Sequence, residues 1–194
     1  PLRKITRISY DANGNELSIT LPDGSISSYT YDKNDNISSI TDGNKNVSKL
    51  EYDSLNRAIK SIDPYGAITQ YLYDGNGNII EEINPKGYKI QYVYDSLDRL
   101  TKFIDEDGGV TTYENDALGN ITAITDPKGN KSSYIYNYKV NQVEKVIGAN
   151  NQILLNKYDE IGNITELTLP DGNIKKYKYD NLYRLSETTD INGV

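Results

Sequence analysis

The sequence predicts an all-β fold in which tandem hairpin repeats of about 21 residues form one long, curled antiparallel sheet. Three observations predict it. First, Asp11, Asp32, Asp53, Asp74, Asp95 and Asp116 are each 21 residues apart; Asn137 takes the next place, Asp159 follows 22 residues on, and Asp180 comes 21 after that. Second, a glycine recurs thirteen residues after the Asp, at Gly24, Gly66, Gly87, Gly108, Gly129, Gly172 and Gly193. Third, fourteen of the 18 tyrosines fall eighteen or twenty positions after the Asp.

The Asp is usually preceded by Tyr, as in Tyr31-Asp32, Tyr52-Asp53, Tyr73-Asp74, Tyr94-Asp95, Tyr158-Asp159 and Tyr179-Asp180. The segment Asp-x-x-Gly-Asn that follows reads as a turn. Its carboxylate is expected to accept backbone N–H bonds from two or three residues further on. A strand such as Ile121–Thr125 comes next. Its apolar residues lie five and eight after the Asp, which is not strict alternation, so a bulge or bend is expected at an unspecified place. The single extra residue of the longer repeat is expected between Tyr138 and Gln142.

A second turn then closes each unit. Asp63-Pro64-Tyr65-Gly66 has the chemistry of a type I turn followed by a left-handed residue, and Asn84 to Gly87, Asp126 to Gly129 and Leu169 to Gly172 read alike. Asn151 replaces the glycine acceptably, whereas Lys45 does not, which predicts a differently built turn there. The strand after it carries alternate tyrosines on one face, as in Thr69-Gln70-Tyr71-Leu72-Tyr73. Nine registers with two strands each give roughly 18 strands and a width on the order of 85 Å, and a sheet so wide must twist, curl or close. Residues 1–194 are expected to form a single array of about nine registers, cut from a longer one at both ends.

Composition narrows function. The chain is 36% hydrophobic with a mean hydropathy of −0.67, which suits thin, half-wet sheets. Its net charge of −7, without a basic run, argues against nucleic acid as a direct partner. No stretch approaches the roughly 18 apolar residues of a membrane span. The absence of both Cys and His removes thiol chemistry, the usual neutral-pH base and the commonest zinc ligand. An enzyme is not expected.

The pattern Tyr-Asp-x-x-Gly-Asn-Ile-x-x-Ile-Thr-Asp-Pro-x-Gly, read most fully from Asn115-Asp116 through Gly129, resembles the YD-repeat or Rhs family. Such repeats form long β-sheets that spiral into a hollow shell. Bacterial members, with relatives among wall-associated and insecticidal toxin-complex proteins, enclose a C-terminal toxin; the animal teneurins are also related. The resemblance implies a shell segment of a secreted or cell-surface protein, with the rest of the parent polypeptide as partner. The segment that follows the repeats in bacterial members, with its autoproteolytic aspartates, has no counterpart here, nor does a variable toxin domain.

Other motifs read as by-products of the repeat. Asp11-Ala12-Asn13-Gly14-Asn15 and its equivalents at Asp32 and Asp74 match the first half of a calcium loop but have no bidentate Glu at the twelfth position. No cofactor is expected, Ca2+ being the one candidate, and plain Asx turns are favoured. Asp105-Glu106-Asp107 reads as a solvated turn. Three of the five glycosylation sequons (at Asn36, Asn120 and Asn163) arise from the repeat's own Asn-Ile-Thr/Ser step. Tyrosine rows could also stack on sugars, making carbohydrate or cell-wall glycan binding the alternative function. The recurrent tyrosines, aspartates and glycines are expected to be structural.

Overall fold

A computed structural model describes residues 4–191. The described residues contain strands and turns and no helix, so none is long and apolar enough to cross a membrane. The chain divides into two compact units between Tyr92 and Val93.

The first unit holds β1 (Arg7–Tyr10), β2 (Glu16–Thr20), β3 (Ile26–Tyr31), β4 (Ile37–Thr41), β5 (Val47–Tyr52), β6 (Ala58–Ile62), β7 (Ile68–Tyr73), β8 (Ile79–Ile83) and most of β9 (Lys89–Tyr94). The second holds β10 (Leu100–Ile104), β11 (Val110–Asn115), β12 (Ile121–Thr125), β13 (Lys131–Asn137), β14 (Gln142–Ile147), β15 (Ile153–Tyr158), β16 (Ile164–Thr168), β17 (Ile174–Tyr179) and β18 (Leu185–Ile191). Within each unit, strands adjacent in sequence pair antiparallel.

The two kinds of hairpin differ. Across the Asp turn, β3 and β4 pair from Ser28↔Thr41 to Tyr31↔Ile37, and Ser38 is squeezed out between Thr30↔Ser39 and Tyr31↔Ile37. The same one-residue bulge recurs in β1–β2, β5–β6 and β7–β8 of the first unit and in β11–β12, β13–β14, β15–β16 and β17–β18 of the second. It lies six residues after the Asp, and in β13–β14 seven after Asn137. The extra residue reverses the alternation, so Ile37 and Ile40, three apart, both stand opposite tyrosines, Ile37 against Tyr31 and Ile40 against Tyr29. The irregular apolar spacing of the sequence is therefore the record of a bulge.

Across the Pro-Gly turn, pairing is shorter. Between β2 and β3 it covers Ser18↔Ser28, Ile19↔Ser27 and Thr20↔Ile26 only, and between β6 and β7 Lys60↔Gln70, Ser61↔Thr69 and Ile62↔Ile68. These ladders stop before reaching the Asp-turn end of the strands.

Every turn but that between β13 and β14 closes with the same backbone pattern, for example Asp63 N–H to the Ala67 carbonyl at 2.9 Å and Gly66 N–H to the Asp63 carbonyl at 3.0 Å. Lys45 joins this pattern rather than departing from it: its N–H donates to the Asp42 carbonyl at 2.9 Å, and its φ is 68°. The hairpin's closing bonds hold a lysine in the left-handed region. Gly193 of the glycine series lies outside the described residues. The inserted residue sits in the turn between β13 and β14, where Asn137 pairs with Gln142 and Asn141 takes a φ of 51°.

The sheet has almost no interior. Among the described residues only Ala123 is a buried hydrophobe, at 2% exposure. In β5 and β7 the tyrosine face (Ser48, Leu50, Tyr52; Thr69, Tyr71, Tyr73) is half-buried and the opposite residues are exposed. Stability therefore rests on ladder bonds, turn bonds and contacts between neighbouring side chains of one layer.

Backbone geometry at the Pro-Gly turn gives a direct test. Gly129 has φ 84°, where a β-branched side chain is strongly disfavoured. Gly129→Val is expected to destabilise by about 1–2 kcal/mol. Lys45→Gly is expected to raise stability by less than about 1 kcal/mol, because relief of strain is offset by the freer unfolded chain. Thermal unfolding followed by circular dichroism measures both.

Candidate functional site

The recurring Tyr-Asp step is the chemically richest part of the chain, and its geometry repeats almost unchanged. In the first repeat, Asp11 Oδ1 accepts N–H bonds from Asn13 at 2.9 Å and Asn15 at 2.8 Å, while Asn15 Nδ2 donates to Oδ2 at 3.1 Å. Asp32, Asp53, Asp74, Asp95, Asp159 and Asp180 each accept backbone N–H bonds in the same way. The donors lie two and four residues on, not two or three. The third residue's N–H is directed to the Asp carbonyl instead, as Gly14 N–H is to that of Asp11 at 3.2 Å.

The fourth position after the Asp is either Asn or Arg. Arg57, Arg99 and Arg184 place Nε on Oδ2 of Asp53, Asp95 and Asp180 at 2.7, 2.7 and 2.8 Å. This two-pronged contact, with Nη2 on the same carboxylate, holds the Asp95 carboxyl down to about 2. Hydrogen bonds from Asn36 lower Asp32, and those from Arg57 lower Asp53.

Sequence reading missed that the Pro-Gly turn uses the same device. Asp63 Oδ1 accepts from the N–H groups of Tyr65 and Ala67, both at 2.8 Å. Asn84 does so with Lys86 and Tyr88, and Asp126 with Lys128 and Asn130. Where Leu21 or Leu169 stands in that place, the next carboxylate along, Asp23 or Asp171, accepts from Ser25 or Asn173 N–H. Gly24, Gly66, Gly87, Gly108, Gly129 and Gly172 all have φ between 82° and 89° in these turns.

The tyrosine before the Asp spans the gap left by the short ladder. Tyr31 Oη donates to the Glu16 carbonyl at 2.7 Å, beyond the last β2–β3 pair. Tyr52 reaches Ile37, Tyr73 reaches Ala58, Tyr158 reaches Val143 and Tyr179 reaches Ile164, at 2.9, 2.7, 2.6 and 3.0 Å. Tyr94 closes β9. Asn115 stands where a Tyr is expected, and its Nδ2 donates the equivalent bond to the Leu100 carbonyl at 3.1 Å. The bond therefore outlasts the ring. Burial raises the Tyr52, Tyr73 and Tyr158 hydroxyls above the ordinary phenol value, and the Arg57 guanidinium lies 4.6 Å from the Tyr73 ring centre.

Successive Asp turns are also joined to one another. Asn13 and Asn15 donate to Asp35 at 3.1 and 2.7 Å, and Asn34 and Asn36 to Asn56 at 2.9 and 2.8 Å. Arg57 Nη1 donates to the Asp74 carbonyl at 2.9 Å, and Arg99 Nη1 to that of Asp116. Between turns lie open depressions, one of about 440 Å³ lined by Asp32, Asn34, Tyr52 and Asp53 among others.

This arrangement holds backbone. The Asp11, Asp32 and Asp74 oxygens that could have formed a calcium half-loop face N–H donors, and the described residues contain no group of three His, Cys, Asp or Glu placed to hold a metal.

Two predictions follow from these contacts. Tyr73→Phe removes the bond to Ala58 and keeps the ring, so unfolding should be easier by about 1 kcal/mol, with Tyr73→Ala costing more. Because the turn carboxylates titrate lower in the folded chain, their contribution is complete above about pH 4 and is lost as pH falls towards about 2, where Asp95 protonates. The tyrosine hydroxyls titrate higher when folded, so their contribution is complete below about pH 10 and is lost above it. Melting temperature against pH should show a plateau with both shoulders; Asp95→Asn should reduce the acid one, to which the other lowered aspartates also contribute.

Comparison with known proteins agrees with this geometry. The Teneurin YD-shell family model matches residues 2–113, and the RHS Repeat model matches residues 158–194. No curated protein matches. Among solved structures, the crystal structure of TcdB2-TccC3-TEV superposes with a TM-score of 0.77 at 13% identity, covering 96% of this chain and 11% of that one. That of TcdB2-TccC3 gives 0.55 at 14% identity, covering 97% of this chain and 14% of that one. The chain thus spans only a small part of the length of these proteins, and at such identity the likeness is one of fold. With more than half of its residues matched by the shell model, the chain belongs to the YD-shell family.

Proposed function

We propose that this chain is wall material: a structural scaffold that encloses or carries another part of its parent polypeptide in a secreted or surface protein, of the polymorphic-toxin type. The observation that carries this reading is the sameness of the repeats. The same carboxylate turn and hydroxyl bond recur along both units, and among the described residues no repeat departs from them towards a chemical centre. Tyr31, Tyr52, Tyr73, Tyr158 and Tyr179 serve as fasteners in this reading, Asp32, Asp53, Asp74, Asp95, Asp159 and Asp180 as turn formers, and the six Pro-Gly-turn glycines as hinge points of the hairpins. Membership of the YD-shell family supports the scaffold role, and the resemblance to TcdB2-TccC3 supports the wider toxin-complex context.

The test is limited proteolysis of the full-length parent polypeptide. Segments outside the repeats should be cleaved at least about tenfold more slowly when the repeats are intact than when Tyr-to-Ala substitutions have loosened them, since an enclosed segment is reached only by opening of the wall. Equal cleavage rates would remove enclosure from the reading. Retention of the intact chain on cell-wall polysaccharide, abolished by Tyr71→Ala without loss of folding, would favour glycan binding instead.

A further inference from the structure

Among the described residues, asparagine is followed by glycine at two places, Asn13-Gly14 and Asn76-Gly77. Both pairs stand two and three residues after the Asp of an Asp turn, and all four residues are exposed. Nothing lies within 4 Å of where a Cβ on Gly14 or Gly77 would be, so the peptide nitrogen after each asparagine is open to attack and to water. The N–H of each glycine donates to the Asp carbonyl over a long distance, 3.2 Å for Gly14 and 3.3 Å for Gly77. In the Pro-Gly turns the equivalent bonds of Gly24, Gly66, Gly87 and Gly129 measure 2.9–3.0 Å. The nitrogens of Gly14 and Gly77 are the more loosely held.

Such a nitrogen can close a ring on the side chain before it. The Gly14 nitrogen gives up its proton and bonds Cγ of Asn13; the Cγ–Nδ2 bond breaks, and Nδ2 leaves as ammonia after taking a proton from water. Water then opens the resulting succinimide at one of its two carbonyls. The residue at position 13 becomes an aspartate, in the ordinary chain linkage or in the β linkage, and water is the only co-reactant. What the new carboxylate meets is set by the seam between turns. Asn13 Nδ2 donates to Asp35 Oδ1 at 3.1 Å, beside Asn15 Nδ2 at 2.7 Å. Exchange of that nitrogen for an anionic oxygen sets two carboxylates against each other where a hydrogen bond was. The β linkage adds a backbone atom to the turn and draws the Asn15 N–H away from Asp11 Oδ1, which it now reaches at 2.8 Å. Asn34 is a comparison within the same chain. Its N–H reaches Asp32 Oδ1 at 2.8 Å, its Nδ2 reaches Asn56 at 2.9 Å, and the next N–H reaches the Asp32 carbonyl at 3.2 Å. The next residue, however, is Asp35, whose side chain and charge hinder ring closure.

We propose that Asn13 and Asn76 are sites of spontaneous deamidation through the following glycine, and that at Asn13 the reaction unfastens the first Asp turn from the second. The change runs one way, because ammonia is lost to solvent. The seam between these turns therefore loosens with time in the folded chain, while the Asn34–Asn56 seam beside it stays closed. This inference rests on the turn and its neighbour and does not depend on what the wall encloses.

Peptide mapping by mass spectrometry tests it on the whole, unaltered chain, held folded in mildly alkaline buffer. Conversion of each asparagine to aspartate is followed with time, and the β linkage is scored with an isoaspartyl methyltransferase. Asn13 and Asn76 should convert on the order of tenfold or more faster than Asn34. The consequence is read on Asn13→Asp, the product in its ordinary linkage, which should melt about 2–4 °C below the unaltered chain. That loss should shrink in high salt, and it should shrink again when Asp35→Asn is also present, since both weaken the repulsion. Conversion of Asn13 and Asn76 no faster than that of Asn34 would overturn the sites. A melting loss of the same size with and without Asp35→Asn would overturn the unfastening.

Discussion

The bulge in the strand that follows the Asp turn is the constraint on which the rest of the repeat depends. A regular strand would send residues five and eight to opposite faces, and the isoleucines could not both meet the tyrosines. By squeezing out Ser38 and its equivalents, the hairpin gathers Ile37, Ile40, Tyr29 and Tyr31 on one side. The other side is left to residues such as Lys60 and Glu51, or Glu166 and its two lysines, which pair across strands. Exposed pairs of this kind contribute little individually, about 0–1 kcal/mol.

The ladder across the Pro-Gly turn stops after three pairs, while the tyrosine hydroxyl reaches a carbonyl past that stop. Backbone carbonyls need partners wherever water is restricted, and a phenol is long enough to provide one across a gap that backbone cannot close. Asn115 shows which part of the side chain is essential for the bond: a donor of the right reach, not an aromatic ring. The same logic governs the turns, where one carboxylate or amide oxygen takes two N–H groups that the tight chain reversal leaves without ladder partners.

Much of this was legible in the sequence because repetition amplifies weak signals. A single Asp-x-x-Gly-Asn is an ambiguous turn, but at intervals of 21 residues it fixes strand count, hairpin order and the tyrosine face together. Periodicity showed that alternation failed somewhere after the Asp without locating the bulge, since nothing in the side chain of Ser38, Ile59 or Thr122 marks it as the one squeezed out. Lys45 was misread because residue preference was weighed locally, whereas the closing bonds from Asp42 override it. The shared chemistry of the two turns was not legible because Pro and Gly alone account for the tight reversal, so the side-chain bonds of Asp63 or Asn84 leave no separate mark in the sequence. The Asn and Arg alternation at the fourth position was visible; its role in joining one turn to the next needed coordinates.

The hydroxyl bond has a consequence at the level of the gene. Its two ends, Tyr31 and Glu16 for instance, lie 15 residues apart inside one 21-residue period. An unequal exchange that adds or deletes whole periods therefore transmits every such bond intact, wherever the crossover falls between units. The contacts joining neighbouring turns straddle that boundary, and their Asn, Asp and Arg combinations are what a new junction must match. Within this array, whole periods are thus self-contained in their hydroxyl bonds, and only the turn-to-turn contacts depend on which unit comes next.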